Sequence, residues 1–560
     1  MKNTVSKKQG FLSGSLILIA SAAVSKVIGA IFRIPLANML GGEGMGYFSA
    51  AYGIFMTVYA VSVTGLPVAT SKLTAERLAN ADKNGAANVK STALALCSLC
   101  GLAFTLLTLL LAYPFCAFLS KSPLSVIAVA AIAPSVLFSC ITAVFRGCFE
   151  GRRNMYPTAV SQVIEAAVKL FAGLALCYAV LNAPSSFFSS AEVVIKKLLP
   201  FKAIQDVSAA ELIMPLAAAA AVFGVTVSSL AGLAFIALRS AFDKDEKLRS
   251  KPSRATASEL TAIMIPVALG SLITNLTSLI DLATIISCLK KAVAAAPQVF
   301  SAIGSGISAE ALPNFIFGSF SGLAVTVFNL IPSFTNMFGK GAVPFVAESF
   351  ARKDKELMRQ SAMRVIFTAG FIAVPSGIGI SALAPQILEL LFPSRPLETM
   401  AAADSLRVLG FGVIFLSVSS VLFAVMQAAG RGDIPVKIMA AGVAVKLLLN
   451  LILIPMPNIN VVGAALSTDI CYLLIMLFSI RSVSKLAEIS QSRIFSLLLK
   501  LFFCGMICAA AALLAQNLLQ NLWKTPLTLF ISVPIGAIFY IISTHLTGIL
   551  TKSTLKMLIC

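Results

Sequence analysis

The sequence predicts an all-α protein embedded in a bilayer, and three observations carry that expectation. Of 560 residues, 58% are hydrophobic and only 12% charged, about half the charged share that covers an ordinary water-soluble domain. Apolar stretches of about 20 residues, the length that crosses hydrocarbon as a helix, recur along the whole chain. The chain also repeats itself: GRRNMYPTAVSQVIEAAVKL at 151–170 is echoed by GRGDIPVKIMAAGVAVKL at 430–447.

About fourteen spans follow in order. The first, 11–37, comes after a basic head and contains an A-x-A at Ala20 to Ala22. Its apolar pattern continues past that point, so it is expected to stay as a span and not to leave as a signal peptide. The second, 45–70, ends in GLPVATSKL, and the third to sixth are 92–117, 124–145, 157–181 and 210–238. The basic stretch RSAFDKDEKLRSKPSRATASE at 239–259 has too few apolar residues to cross and reads as a cytoplasmic linker. The seventh and eighth spans are 260–287 and 315–338, the latter leading into GAVPFVAESF. Then come 361–382, 404–427, 436–455, 462–480, 494–516 and 526–549.

Three landmarks share one offset: Pro67 to Pro344 is 277 residues, Gly151 to Gly430 is 279, and Lys169 to Lys446 is 277. A duplicated unit of six helices accounts for this. The expected organisation is a first lobe at 1–238, the linker at 239–259, a second lobe at 260–481, and two added helices with a cytoplasmic tail at 482–560. Units with an even number of spans enter from the same side, so a pseudo-twofold axis along the membrane normal and a cleft at mid-depth are expected.

The net charge of +20 raises the question of nucleic acid. Most Lys and Arg fall in alternate loops on one side, which is the positive-inside asymmetry of a membrane protein with both termini in the cytoplasm. Nucleic acid is not needed to explain it. Nearly all of the eleven cysteines sit in or beside spans, and Cys97 and Cys100 form a CxxC without a second pair or a neighbouring histidine. His545 is the single histidine, so HExxH and histidine-rich zinc sites are excluded.

An ionised side chain at the centre of a span costs about 2.5–3.5 kcal/mol on insertion scales, enough to cancel roughly six leucines. Such residues are therefore candidates. Lys26 and Arg33 lie two turns apart on the first span, about 10 Å along the axis. Two cations on one face suit an anion such as a pyrophosphate, with arginine able to bind it bidentately. Thr158, Gln162, Glu165 and Lys169 are spaced 4, 3 and 4 on the fifth span and share a face; Glu165 and Lys169 can pair at i,i+4. Ser271, Thr274, Ser278 and Asp281 make a stripe on the seventh span, where the Asp281 carboxylate could carry a coupling proton or help to hold Na⁺. Asn329, Ser333, Asn336 and Lys340 make another on the eighth, and Asn336 is a candidate substrate contact. Lys446 and Asp469 reach similar depths on adjacent spans and read as a structural ion pair. Arg407, near a span end, reads as a snorkelling side chain.

The wording of several segments is itself recognisable. FRGCFEGRRNMYPTAVSQVIE (145–165), GRGDIPVKIMAAGVAVKLLLNLILIPMPNINVVGAAL (430–466) and SKVIGAIFRIPLANMLGGEGMGYF (25–48) resemble the stage V sporulation protein B and polysaccharide-biosynthesis family. That family lies within the multidrug/oligosaccharidyl-lipid/polysaccharide (MOP) exporter superfamily. The resemblance implies a MATE/MOP-like fold of two six-helix lobes, with a thirteenth and fourteenth helix that line a groove for a lipid tail. It further implies a flippase moving undecaprenyl-pyrophosphate-linked saccharides, including the peptidoglycan precursor lipid II, across the bacterial cytoplasmic membrane. Arg33 occupies the family's first-helix cationic position; other arginines of the Gram-negative lipid II flippases have no counterpart here.

The expected partners are a lipid-linked oligosaccharide and membrane lipids. The chain is expected to act as a monomer, in vegetative growth or in sporulation. No cofactor is expected, and coupling would come from H⁺, Na⁺ or the membrane potential. The chain has no GxxxxGKS/T and so no expected ATP site, and no aspartate cluster for the Mg²⁺-pyrophosphate chemistry of a polyprenyl transferase. The alternatives are a flippase for another lipid-linked polysaccharide and a multidrug or cation antiporter of the same superfamily, which would prefer an acidic, aromatic pocket.

Overall fold

The computed structural model describes residues 11–198, 205–243, 250–301, 303, 307–351, 354–520 and 525–550. The described residues form helices and no strands, and they group into two compact units, Met1–Ser287 and Cys288–Cys560. The division falls inside a helix, past the linker.

The first unit opens with α1 (Phe11–Ser62), 52 residues long and about 78 Å if straight. It is not straight. Gly41 within it has φ 63° and ψ −170°. The Arg33 guanidinium carbon lies 5.7 Å from the centre of the Tyr52 ring, and the Phe32 and Phe48 rings are 6.2 Å apart. Nineteen residues of straight helix would separate Arg33 from Tyr52 by about 28 Å. The chain therefore doubles back at Gly41, in the left-handed region that a residue without Cβ enters at little cost. The sequence places a loop between its first two spans; a one-residue reversal replaces it.

The second arm continues through α2 (Gly65–Ala79). Helix α3 (Lys83–Pro114) starts at an Asp82 cap whose carboxylate accepts from the Gly85 amide at 2.7 Å, and it ends in a π-turn at Phe115–Leu119. Helices α4 (Ser125–Ile132) and α5 (Pro134–Gly151) are halves of one crossing, parted where Pro134 lacks an amide hydrogen. Then come α6 (Tyr156–Leu181), the short α7 (Ser185–Leu198), α8 (Ile213–Ala241) and α9 (Arg254–Ala295). A Cβ on Gly224 would sit 2.4 Å from the Gly173 Cα. Helices α6 and α8 thus touch backbone to backbone, the approach that small residues permit in lipid. Past the linker the chain is pinned to the same unit: Asn88 donates to the Lys251 carbonyl at 2.5 Å and accepts from Thr256 at 2.7 Å, and Arg77 pairs with Glu259 at 2.8 Å.

The second unit takes in the last turns of α9 and a short turn at Pro297–Phe300, then α10 (Leu312–Ser319), a π-turn at Phe320–Ala324, α11 (Val325–Phe328) and α12 (Leu330–Ala351). The eighth span expected from sequence is broken here, with a 40° bend at Asn329. Pro332 explains the position: its ring clashes with the carbonyl four residues back, at Phe328, and it supplies no hydrogen for that carbonyl. Helices α13 (Lys355–Ala382), α14 (Ala384–Leu391), α15 (Pro396–Ala428), α16 (Asp433–Leu453) and α17 (Val462–Leu486) complete the bundle. Its core is an apolar cluster that includes Ile366, Val418, Leu422 and Ile480. The final pair, α18 (Gln491–Leu519) and α19 (Thr525–Leu546), rests on α13, where the Tyr540 hydroxyl donates to the Phe371 carbonyl at 3.0 Å. Between the two helices the buried Gln516 donates to Thr528 at 2.8 Å and accepts from Ser532 at 3.1 Å, so its side-chain amide is not left bare in lipid.

Among the described residues 11 helices are long and apolar enough to cross a membrane, or 12 if the bent pair is one span. The sequence suggested about fourteen. The difference arises where the first candidate runs 60 residues through the Gly41 reversal and where α9 is not among the candidates. Large apolar side chains such as Leu110, Phe171, Leu518 and Phe530 are exposed on the outside of these helices, as lipid-facing residues should be.

Candidate functional site

In the first unit the α1 hairpin brings cations and aromatic rings together. On the second arm Phe48, Tyr52, Phe55 and Tyr59 recur every three or four residues, and consecutive rings lie 5.5–6.0 Å apart. They form a ladder on one face. Arg33 from the first arm lies over Tyr52. The Lys169 ammonium, from α6, lies 5.8 Å from the centre of the Phe32 ring, and a Cβ on Gly29 would be 3.9 Å from it. Gly29 is three residues past Lys26 and four before Arg33, so Lys169 delivers a third cation between the two. Lys26 is exposed; Arg33 and Lys169 are half-buried. A ring face attracts such a cation by about 0.5–2 kcal/mol. Arg33 presents its flat face to the ring, and its hydrogen-bond donors project from the edge.

The remaining residues of the α6 stripe explain how Lys169 is held. Thr158 is buried. Gln162 accepts from Ser21 of α1 at 3.0 Å. Glu165 pairs with Arg146 of α5 at 3.0 Å, and Arg146 also donates to Ser161 at 2.9 Å. Glu165 makes its direct ion pair with the neighbouring helix, while Lys169, its i,i+4 neighbour, stays within electrostatic reach and lies over the aromatic ring. Glu165 is seated against Gly232 of α8, where a Cβ would meet its Oε1 at 2.3 Å. Sequence reasoning missed Arg146, which lies at the edge of the fourth span within FRGCFEG, and it missed the aromatic ladder, although the 4, 3, 4 spacing of Phe48, Tyr52, Phe55 and Tyr59 is visible in the chain.

Asp281 is half-buried on α9 and falls in the first unit, together with the three cations. Its neighbour Leu282 reaches Gly53, beside Tyr52, where a Cβ would lie 3.3 Å from it. Asn336 is half-buried on α12 of the second unit. The bend at Asn329 takes that residue out of the helix that carries Ser333 and Asn336, and the side chains of Thr274 and Lys340 lie outside the described residues. Lys446 on α16 is 2% exposed and Asp469 on α17 is 7% exposed. The Asp469 carboxylate is seated on Gly412 of α15, where a Cβ would meet Oδ1 at 2.1 Å. One turn from Lys446, Asn450 accepts from Ser467. Arg407 is exposed and pairs with Asp404 at 3.1 Å.

The described residues thus form a helical membrane protein of two units, with cations gathered on the α1 hairpin of the first. The family model for the lipid II flippase MurJ matches residues 70–534, and the chain belongs to that family. Relatives include stage V sporulation protein B of Bacillus subtilis, 26% identical over 86% of this chain and 85% of that one. The lipid II flippase MurJ of the same organism is 22% identical over 97% and 96%. Among solved structures, lipid II flippase MurJ in an inward closed conformation superposes with a TM-score of 0.62 at 14% identity, covering 95% of this chain and 98% of that one. An inward-facing multidrug resistance MATE family transporter of the MOP superfamily also gives 0.62, at 16% identity, with 85% and 99% covered. These likenesses establish the MOP-type fold and a multi-pass membrane protein.

Proposed function

We propose that the chain is a flippase that moves an undecaprenyl-pyrophosphate-linked saccharide, with lipid II the first candidate substrate, across the bacterial cytoplasmic membrane by alternating access. The observation that carries this reading is that Lys169 is delivered beside Gly29 and Phe32 on the same arm of the α1 hairpin that bears Lys26 and Arg33. A pyrophosphate needs several positive charges at once, and in a low-dielectric site each contributes more than it would in water. Aromatic faces keep the cations in place without cancelling their charge. The same arrangement disfavours export of organic cations, which it would repel. Family membership supports the reading, and so does the likeness to a sporulation protein and a lipid II flippase.

In this mechanism Arg33 and Lys26 bind the pyrophosphate, Lys169 adds the third charge, and the Glu165–Arg146 pair fixes the helix that carries Lys169. Asp281 is assigned to coupling, by taking a proton or helping to hold Na⁺. The excess of basic loops on one side assigns both termini to the cytoplasm. The test is translocation of labelled lipid II in proteoliposomes. Arg33→Ala is expected to reduce it at least tenfold with normal membrane insertion, and undiminished flipping would remove that residue from the mechanism. Asp281→Asn is expected to abolish the response to an imposed pH, Na⁺ or voltage gradient; an unchanged response to all three defeats the coupling role. The saccharide is identified by depleting the protein in cells and measuring which lipid-linked precursor accumulates in the inner leaflet.

A further inference from the structure

A second cationic site lies in the other unit, away from the residues assigned to transport. A cavity of about 410 Å³ opens between the first turns of α13, the first turns of α18 and the C-terminal end of α19. Its rim carries Arg359, Arg364, Arg493 and Lys500 against a single carboxylate, Glu356. Glu356 is engaged by Arg359 at 3.9 Å, and Arg359 also donates to the Glu488 carbonyl at 2.9 Å. Among the described residues no ion pair is formed by Arg364, Arg493 or Lys500, and all three are exposed. The floor is apolar: Phe367 and Ile549 are buried in the cluster that joins α13, α18 and α19. Ile549 gets there because Gly548, two residues past the end of α19, has a φ of 67° that turns the chain under the helix, and the Ile549 amide then donates back to the Thr544 carbonyl at 3.1 Å.

The sequence order puts the N-terminal ends of α13 and α18 on the same side, since Lys355 and Arg359 both meet Glu488, which precedes α18. A cavity at the end of spanning helices, greasy below and strongly basic at the rim, matches an amphiphile with an anionic head. Basic pockets between spanning helices bind lipid phosphates by this chemistry. We propose that this cavity is a binding site for the phosphodiester headgroup of an anionic membrane phospholipid. The ligand is a resident lipid and not the transported substrate, so the site stands whatever saccharide the protein carries.

The experiment uses the full-length protein in nanodiscs of phosphatidylcholine, with and without phosphatidylglycerol, and counts the lipids retained after transfer to neutral detergent by mass spectrometry. The wild type is expected to retain phosphatidylglycerol over phosphatidylcholine. The variant Arg364→Gln/Arg493→Gln/Lys500→Gln is expected to lose that preference, by about fivefold per cation and on the order of 100-fold for all three. Because the three side chains are exposed, folding is expected to survive, and Ser496→Trp offers an independent check by filling the cavity with every cation kept. Undiminished retention in both variants overturns the proposal. So does an equal loss in Arg481→Gln/Lys485→Gln, which would mean diffuse charge attraction and no site. Competition by inorganic phosphate at the affinity of phosphatidylglycerol would assign the cavity to a soluble anion and overturn the lipid assignment.

Discussion

Lys169 and Lys446 occupy matched positions of the duplicated sequence, 277 residues apart, yet they live in different surroundings. Lys169 is half-buried with its ammonium over Phe32 and beside Gly29. Lys446 is 2% exposed and lies within electrostatic reach of the buried Asp469 on the next helix. The neighbours have diverged with them: the position matching Glu165 is Gly442, and the acid of the second unit sits on α17 instead. An ammonium sealed from water has to be compensated by fixed groups and is committed to structure. A half-buried one stays within reach of a mobile anion, as the proposed mechanism requires. The sequence carries a lysine at both ends of one offset, and burial sets the two apart.

The largest expected effect comes from Lys446. Lys446→Met takes a buried ammonium away from Asp469, which lies within its electrostatic reach, an expected loss of about 3 kcal/mol, and the double variant with Asp469→Asn should recover part of it. Lys169→Met should leave the melting temperature in detergent near that of the wild type while lowering translocation. If the two single variants melt alike, the contrast between the lysines is wrong.

Next come the two glycines that seat the acids. Gly412→Ala drives a methyl into Asp469, whose short, buried side chain has nowhere to turn, and overpacking of this kind costs about 1–3 kcal/mol. Gly232→Ala meets the longer Glu165, which is 25% exposed and can swing aside. The first should lower the melting temperature more than the second; the reverse order would mean that the second unit is the more adaptable.

A smaller effect is expected for the bond from Glu165 to Arg146. A double-mutant cycle with Glu165→Gln and Arg146→Gln should return a coupling energy of about 1–3 kcal/mol, and a coupling of zero would dissolve the pair that holds α6. The smallest concerns Glu488, in the turn between α17 and α18, where the hydrogen bond from Lys355 holds the carboxyl below its ordinary value against partial desolvation. A depressed carboxylate contributes stability above its unfolded pKa and loses it as pH falls through the folded one. Thermal scans on the acidic side should therefore decline less steeply in Glu488→Gln than in the wild type, and parallel declines would leave this turn without a role.

Much of this was legible in the chain. Hydropathy placed most of the crossings, and the 3, 4 spacing put Gln162, Glu165 and Lys169 on the side of α6 that meets Ser21, Arg146 and Phe32. Helical periodicity sees only its own helix, however, so it offered Glu165 a partner at i+4 and could not see Arg146 approaching from α5. Nor could it see Gly41. A single left-handed residue leaves no polar segment behind, and a hydropathy window blurs it into a short loop. The bend at Asn329 was more accessible, since Pro332 announces it, but a stripe of polar residues across the bend reads as continuous when only spacing is counted.

The reversal at Gly41 has one more consequence. With no slack in the corner, the relative rotation of the two arms is dialled by chain length alone: each residue added or removed between Pro35 and Leu40 would turn Arg33 by about 100° about its own axis and swing it off Tyr52. Loops elsewhere can grow or shrink between relatives without disturbing their surroundings. This corner works as a gauge block, and its length should be as intolerant of change as any side chain it aligns.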